Sequence, residues 1–264
     1  MHAALRRVSV TLTVTVLCVS SMARAQTPAA VPAPPPPLWT GSAGFGMSLS
    51  RGNTETFNLN MSGEATRDPK TGRVWKFRGL YLRGENNEFL AVDRLSFDAR
   101  YEHSFGKRVY GFGSLQFLKD QFKDIDYLVA PSAGVGYKLV ATPATSFNVD
   151  GGFGVKVEKN TSHTITGDMA VETTNTRKDA VFTASDKFEH KLTTTAALTQ
   201  SFNALWKAQD FGDALYTFAA RAPAALTART QLKIEVLDTY SSRPPTATVK
   251  SNDVALLTAL VYKF

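Results

Sequence analysis

Along most of the chain, apolar and polar residues change places at every step, the two-residue period of a strand whose faces meet different surroundings. Ala43, Phe45, Met47 and Leu49 alternate with Ser42, Gly44, Gly46, Ser48 and Ser50, and after Gly52-Asn53-Thr54 the period resumes with Phe57, Leu59, Met61 and Ala65. This predicts a tight hairpin. Asp68-Pro69-Lys70-Thr71-Gly72 reads as a second turn. A third strand is expected over 73–84, with Trp75, Phe77 and Tyr81 on one face. In a fourth, over 89–105, odd positions hold Phe89, Ala91, Leu95, Phe97, Ala99, Tyr101 and Phe105, and even ones hold Arg94, Ser96, Asp98, Arg100, Glu102 and Ser104. The fifth, over 109–117, puts Tyr110 and Phe112 on one face but Leu115 and Phe117 on the other, as a bulge or register change would. Six more are expected at 128–139, 147–158, 180–189, 193–202, 214–221 and 229–240. The last, 252–264, aligns Val254, Leu256, Leu260, Tyr262 and Phe264 on one face.

Twelve such strands predict an all-β fold, a closed antiparallel up-and-down transmembrane β-barrel. Closure pairs the final strand on both sides, where an open sheet would leave an edge that invites aggregation. An even strand count returns both ends of the chain to one side. Connections on that side are expected to be short turns, and those on the other side longer, above all 159–179 and 241–251, the asymmetry of outer-membrane barrels. A secreted soluble β-barrel or sandwich also alternates, with its apolar face turned inward. The strand count, the Tyr, Trp and Phe near strand ends and the closing Phe264 favour the membrane.

Residues 1–25 stand apart from the barrel. Arg6 and Arg7, an apolar run from Val8 to Val19, and Ala23-Arg24-Ala25 have the order of a signal peptide cleaved after Ala25, and the run is too short for a spanning helix. The expected location is the cell outer membrane, reached through the periplasm. Residues 26–38 form a Pro/Ala-rich periplasmic leader, and 39–264 the barrel. Cys18, the one cysteine, leaves with the signal peptide, so neither a disulfide nor thiol chemistry is expected in the mature protein. Without Arg6, Arg7 and Arg24 the 30 basic residues become 27 against 23 acidic ones, a net charge of about +4 instead of +7. Interspersed charges of that sum give no reason to expect a nucleic-acid partner.

Trp39-Thr40-Gly41-Ser42 with Gly52-Asn53-Thr54, Asp120-Gln121-Phe122 leading to Asp126-Tyr127, Gly134-Val135-Gly136-Tyr137, and Tyr240 with Pro244-Pro245 ahead of Leu260-Val261-Tyr262-Lys263-Phe264 together resemble the domain of unknown function 481 family. Its members are labelled salt-induced outer-membrane proteins. The resemblance covers nearly the whole mature chain and implies an outer-membrane β-barrel without an assigned reaction. The closing Phe264, with Tyr262 two residues earlier, resembles the C-terminal signal read by the barrel-assembly machinery.

Candidate chemistry is sparse. Ser162, His163 and Asp168 are nearly consecutive in one loop, and a triad is recognised by geometry rather than adjacency. His103 and His190 fall at strand ends predicted to be periplasmic, away from the lipid or peptide substrates of barrel enzymes. Asp120, Asp124 and Asp126 resemble oxygen ligands for a hard cation, yet Lys119 and Lys123 sit among them. The reading is therefore no enzyme, no metal and no cofactor. What remains is the lumen, where Arg94, Asp98, Arg100, Glu102, Lys156 and Glu158 are the leading candidates to line it, with Glu64, Arg78, Lys138, Asp150, Lys187, Glu189, Lys233 and Glu235 beside them. Mixed charge turned inward predicts either a narrow pore for ions or small polar solutes, or a cross-strand network that only braces the barrel. The expected partners are outer-membrane lipid, the assembly machinery and such solutes.

The closing strand supplies a direct test. Leu256→Arg, in mid-membrane on the lipid side, is expected to cost about 2 to 4 kcal/mol, and Ala255→Ser on the opposite face far less. The check is the difference in gel mobility between unheated and boiled samples of each variant, and equal losses for the two would invert the assigned faces.

Overall fold

The computed structural model describes residues 37–50, 56–87, 89–121, 124–166, 169–244 and 250–264. The predicted signal peptide, nearly all of the Pro/Ala leader and the Gly52-Asn53-Thr54 turn lie outside them. Twelve strands follow in order: β1 (Trp39–Ser50), β2 (Thr56–Arg67), β3 (Arg73–Asn86), β4 (Phe89–Ser104), β5 (Val109–Asp120), β6 (Ile125–Ala141), β7 (Thr145–Thr166), β8 (Met169–Lys191), β9 (Ala197–Lys207), β10 (Asp210–Ala225), β11 (Thr230–Ser241) and β12 (Asn252–Lys263). Each pairs antiparallel with the next, and β1 pairs with β12, so the sheet is a closed barrel. The start of β1 and the end of β12 share one rim, here the turn end; the opposite rim is the loop end.

Alternation carries one face of every strand outward. Phe45, Met61, Leu95, Phe153, Val254, Leu256 and Leu260 are exposed there, Leu256 by 72%. Aromatic rows run along both rims of this apolar belt. At the turn end Trp75 stacks on Phe77 and tilts onto Tyr101, with Trp39 on the other side of Phe77. Toward the loop end Phe182 stacks on Phe211, and Tyr216 packs against Phe202, Trp206 and Tyr240. Alternation puts Arg94, Asp98, Arg100 and Glu102 of β4 inward, as its even positions predict.

The strands differ from expectation in three places. The tract 159–179, expected as a long loop, is mostly a continued ladder from Lys159↔Thr176 to Thr166↔Met169. Its threonines are β-branched and suit a strand, so polarity alone misread it as a loop. The ninth strand begins at Ala197, not Thr193, because Thr193 Oγ1 accepts bonds from the amides of Thr195 and Ala196 and holds a turn. β5 has no bulge between its two aromatic pairs: its register against β4 is continuous from Ser104↔Tyr110 to Arg94↔Asp120. Tyr110 and Phe112 point inward while Leu115 and Phe117 point outward. Because 159–179 is strand and the connections between β3 and β4 and between β9 and β10 are brief, the expected excess of long loops at the loop end reduces mainly to the connection after Ser241.

Small residues make room for the inward aromatics. Tyr110 and Phe112 lie opposite Gly136 and Gly134 of β6. A Cβ on Gly136 would run into the Tyr110 ring, and one on Gly134 into the Gly151 backbone. In the first connection at the turn end, Gly72 takes φ +78° and Asp68 accepts the Lys70 amide at 2.8 Å. The Lys70 ammonium, bonded to Asp68 at 2.7 Å, also holds that carboxyl below its ordinary pKa.

Gly136→Val is therefore expected to destabilise the barrel by about 1 to 3 kcal/mol through overpacking. Gly113→Val, on the outer face of β5 with no atom within 4 Å of a new Cβ, is expected to be near neutral. Urea unfolding of both variants in micelles checks the contrast.

Candidate functional site

Inward side chains divide the lumen into three levels. Nearest the turn end lies a charged network. Arg100 Nε donates to Glu102 Oε1 at 2.9 Å and Nη2 to Asp150 Oδ2 at 2.6 Å, and its guanidinium sits 3.9 Å from the Phe112 ring centre. Lys76 Nζ completes Glu102 at 2.7 Å, while Tyr110 and Ser185 donate to Asp150. Beside this group Arg78 pairs with Glu64 at 3.1 Å. Arg221 and Lys233 both reach Glu235, at 2.7 and 3.1 Å, and Lys233 also donates to Ser62 Oγ of β2 at 3.2 Å. Bonds that bridge non-adjacent strands form here, Arg100 reaching β7 past the Phe112 ring of β5, and Lys233 reaching β2 past Ala259 of β12 and Gly44 of β1.

The middle level is apolar. Leu82, Ala219 and Leu237 pack with Leu80, Ala255 and Leu257. Leu118, Ile125, Leu128, Ala130, Val181 and Leu205 form a second cluster, joined by Leu215. Each spans a glycine-bearing strand: β1, with Gly44 and Gly46 inward, lies between the strands of the first, and β7, with Gly152 and Gly154 inward, between those of the second. Absence of side-chain bulk on β1 and β7 lets leucines from neighbouring strands meet.

Above this layer charge returns. Arg94 Nη1 donates to Thr239 Oγ1 at 3.0 Å, joining β4 to β11 with four strands between them by the shorter way round, and lies 3.9 Å from Asp120. Arg94 Nε is buried without a hydrogen-bond partner. Lys156 pairs with Glu158 at 2.9 Å, and Lys207 with Asp179 at 3.0 Å and Asp213 at 3.9 Å.

All six leading candidates thus face the lumen, but in two groups. Asp98, Arg100 and Glu102 belong to the turn-end level, Asp98 opposite Arg78 in register. Arg94, Lys156 and Glu158 lie beyond the apolar layer. Lys76, Asp179, Lys207 and Asp213 were not expected in the lumen, and Asp120 was expected only as a possible cation ligand, although the parity of β3 and β5 carried the signal for Lys76 and Asp120. Tyr262 points outward on β12, and just past the end of that strand the Phe264 ring lies against Gly41. The side chains of Ser162 and His163, and all of Asp168, fall outside the described residues. Asp126 accepts from Thr161 at 2.6 Å and lies 3.5 Å from Lys159, away from Asp120. Among the described residues no three His, Cys, Asp or Glu side chains are grouped to hold a metal. His190 Nδ1 lies 2.8 Å from Thr145 Oγ1 at the turn end.

The profile of the family described as "Protein of unknown function, DUF481" matches residues 43–264. A search of curated proteins returns no match. Among solved structures, the translocator domain of the autotransporter NalP from Neisseria meningitidis is similar at 13% identity, over 86% of this chain and 87% of that one, with a TM-score of 0.49. An outer membrane channel from Pseudomonas putida is similar at 10% identity, over 85% and 94%, with a TM-score of 0.46. The β domain of the Bordetella autotransporter BrkA is similar at 10% identity, over 86% and 97%, with a TM-score of 0.39. The barrel described above rests on its own strand pairing and not on these likenesses.

Removing a carboxylate from the lumen tests the network. Glu235→Ala leaves Arg221 and Lys233 buried together without their shared acceptor, an expected loss of about 3 to 5 kcal/mol. Glu64→Ala, at a more open pair, is expected to cost less than about 1 kcal/mol. Equal denaturation midpoints for the two would show that the lumen level is uniformly wet.

Proposed function

We propose, for a chain that belongs to the DUF481 family of proteins of unknown function, an outer-membrane barrel enclosing a narrow conduit for ions or small polar solutes, shut at rest by its apolar layer. The observation that carries this reading is charge on both sides of that layer. A lumen serving only as filler is as stable or more so with apolar side chains, since buried ion pairs rarely outdo packed hydrophobics of equal volume. Charges wetted from either rim suit passage, and an apolar constriction between them keeps out water and ions until it widens. The exposed apolar belt with aromatic rows at both rims supports immersion in lipid. The turn end, where β1 starts and β12 finishes, then faces the periplasm. Tyr262, outward on the closing strand, and Phe264, just past its end, are available to the assembly machinery in this reading.

A brace without passage is the second reading, favoured by the Arg94–Thr239 bond across the lumen. Planar-bilayer recording separates the two. The wild type is expected to show rare, small openings, Leu82→Ser together with Leu237→Ser to raise conductance severalfold, and Arg100→Ala to shift ion selectivity. If the double variant, with its heat-dependent gel shift intact, stays silent, the conduit is refuted and the brace stands.

A further inference from the structure

Outside the lumen, the wall carries an apolar groove of about 630 Å3 that crosses the junction of β12, β1, β2 and β3. That volume lies within the about 300 to 1,000 Å3 of small-molecule sites. Its floor is a row of small residues in register, Ala43↔Gly63 and Gly63↔Gly79, and the two glycines have nothing within 4 Å of where a Cβ would stand. Phe45, Met61 and Leu260 rise as its walls, each about half exposed. The junction beneath it is the shortest ladder in the barrel. Pairing of β1 with β12 runs only from Ser42↔Lys263 to Phe45↔Leu260, extended by two bonds between Gly41 and Phe264. Pairing of β1 with β2 runs its whole length.

The groove is apolar along its length and polar at one mouth. Thr230 and Tyr262 line that end, and Arg229, in the turn before β11, donates from Nη1 to Tyr262 Oη at 3.3 Å. An exposed guanidinium with free N–H groups at the end of an apolar trough is complementary to a molecule with one phosphate and a hydrocarbon tail.

We infer that this groove seats one phospholipid of the periplasmic leaflet, its acyl chain along Ala43, Gly63 and Gly79 and its phosphate on Arg229 and Tyr262. The inference rests on the membrane reading above. The lipid fills a trough that would otherwise leave the hydrocarbon loosely packed, and it covers the wall where fewest backbone bonds close the barrel. A second Arg–Tyr pair at the same rim, Arg108 Nη1 to Tyr137 Oη at 3.4 Å, borders no part of the groove and serves as an internal control.

The test is native mass spectrometry of the full chain purified in neutral detergent and mixed with phosphatidylglycerol. The wild type is expected to retain one lipid through detergent removal. Gly79→Val and Gly63→Val fill the trough from its open side without touching the lumen, and are expected to abolish retention. Arg229→Ala is expected to weaken it about tenfold, the worth of a charge-assisted hydrogen bond, and Arg108→Ala to leave it unchanged. Equal retention by wild type and Gly79→Val overturns the inference, as does a dimer of the chain in place of the lipid-bound monomer. Each sample is first run unheated and boiled on a gel: a heat-dependent shift in every variant keeps the membrane reading in force whatever the lipid result, and its absence in the wild type removes that reading instead.

Discussion

Everything in this barrel follows from the ring of backbone hydrogen bonds that β1 and β12 complete. In hydrocarbon no water can bond an amide left over at a sheet edge, so a sheet survives there only when it closes on itself. Closure fixes which face of each strand is outside, and the two-residue period then assigns every side chain to lipid or lumen. The register from Ser42↔Lys263 to Phe45↔Leu260 is thus more than a local contact. A slip by one residue would turn Leu256, Leu260 and Tyr262 into the lumen and expose Lys263 and Asp253 outside.

The lumen is a compromise between opposing demands. Cations from β3, β4, β10 and β11 need carboxylates, and the pairs Arg100–Asp150 and Arg221–Glu235 supply them at 2.6 and 2.7 Å. Leucines need each other, and they meet where β1 and β7 present glycine. Layers of charge, hydrocarbon and charge arise because residues of like kind occupy like heights on different strands.

Much of this was legible in the alternating pattern. The even positions of the fourth strand spelled out Arg94, Asp98, Arg100 and Glu102 as inward residues, and the pairing partners of β4 agree. Parity cannot give height, so it could not separate Arg94 from Arg100 across the apolar layer, nor show that Leu82 and Leu237 share a cluster. Those contacts join strands four apart in the ring, and only the diameter and stagger of the closed sheet decide them. Tyr110 and Phe112 illustrate another limit. Two inward aromatics look like a register fault until the glycines opposite them are placed, and the pairing of Gly136 with Tyr110 is a long-range fact. The groove over Gly63 and Gly79 was hidden for the same reason, since three small residues become one trough only through registry.

The long β7–β8 ribbon has a consequence of a different kind. Beyond Thr161 on β7 and before Ala180 on β8 the two strands pair only with one another, so each has a side whose amides and carbonyls meet no neighbouring strand among the described residues. Closure abolishes edges in the barrel, but this projection brings two of them back. Such edges recruit other chains unless their chemistry discourages it. Arg177 and Lys178 stand on one of them, next to Thr173, Thr174, Asn175 and Thr176. The ribbon keeps neighbouring copies from knitting together by charge and polarity, the protection that the wall obtains by having no end.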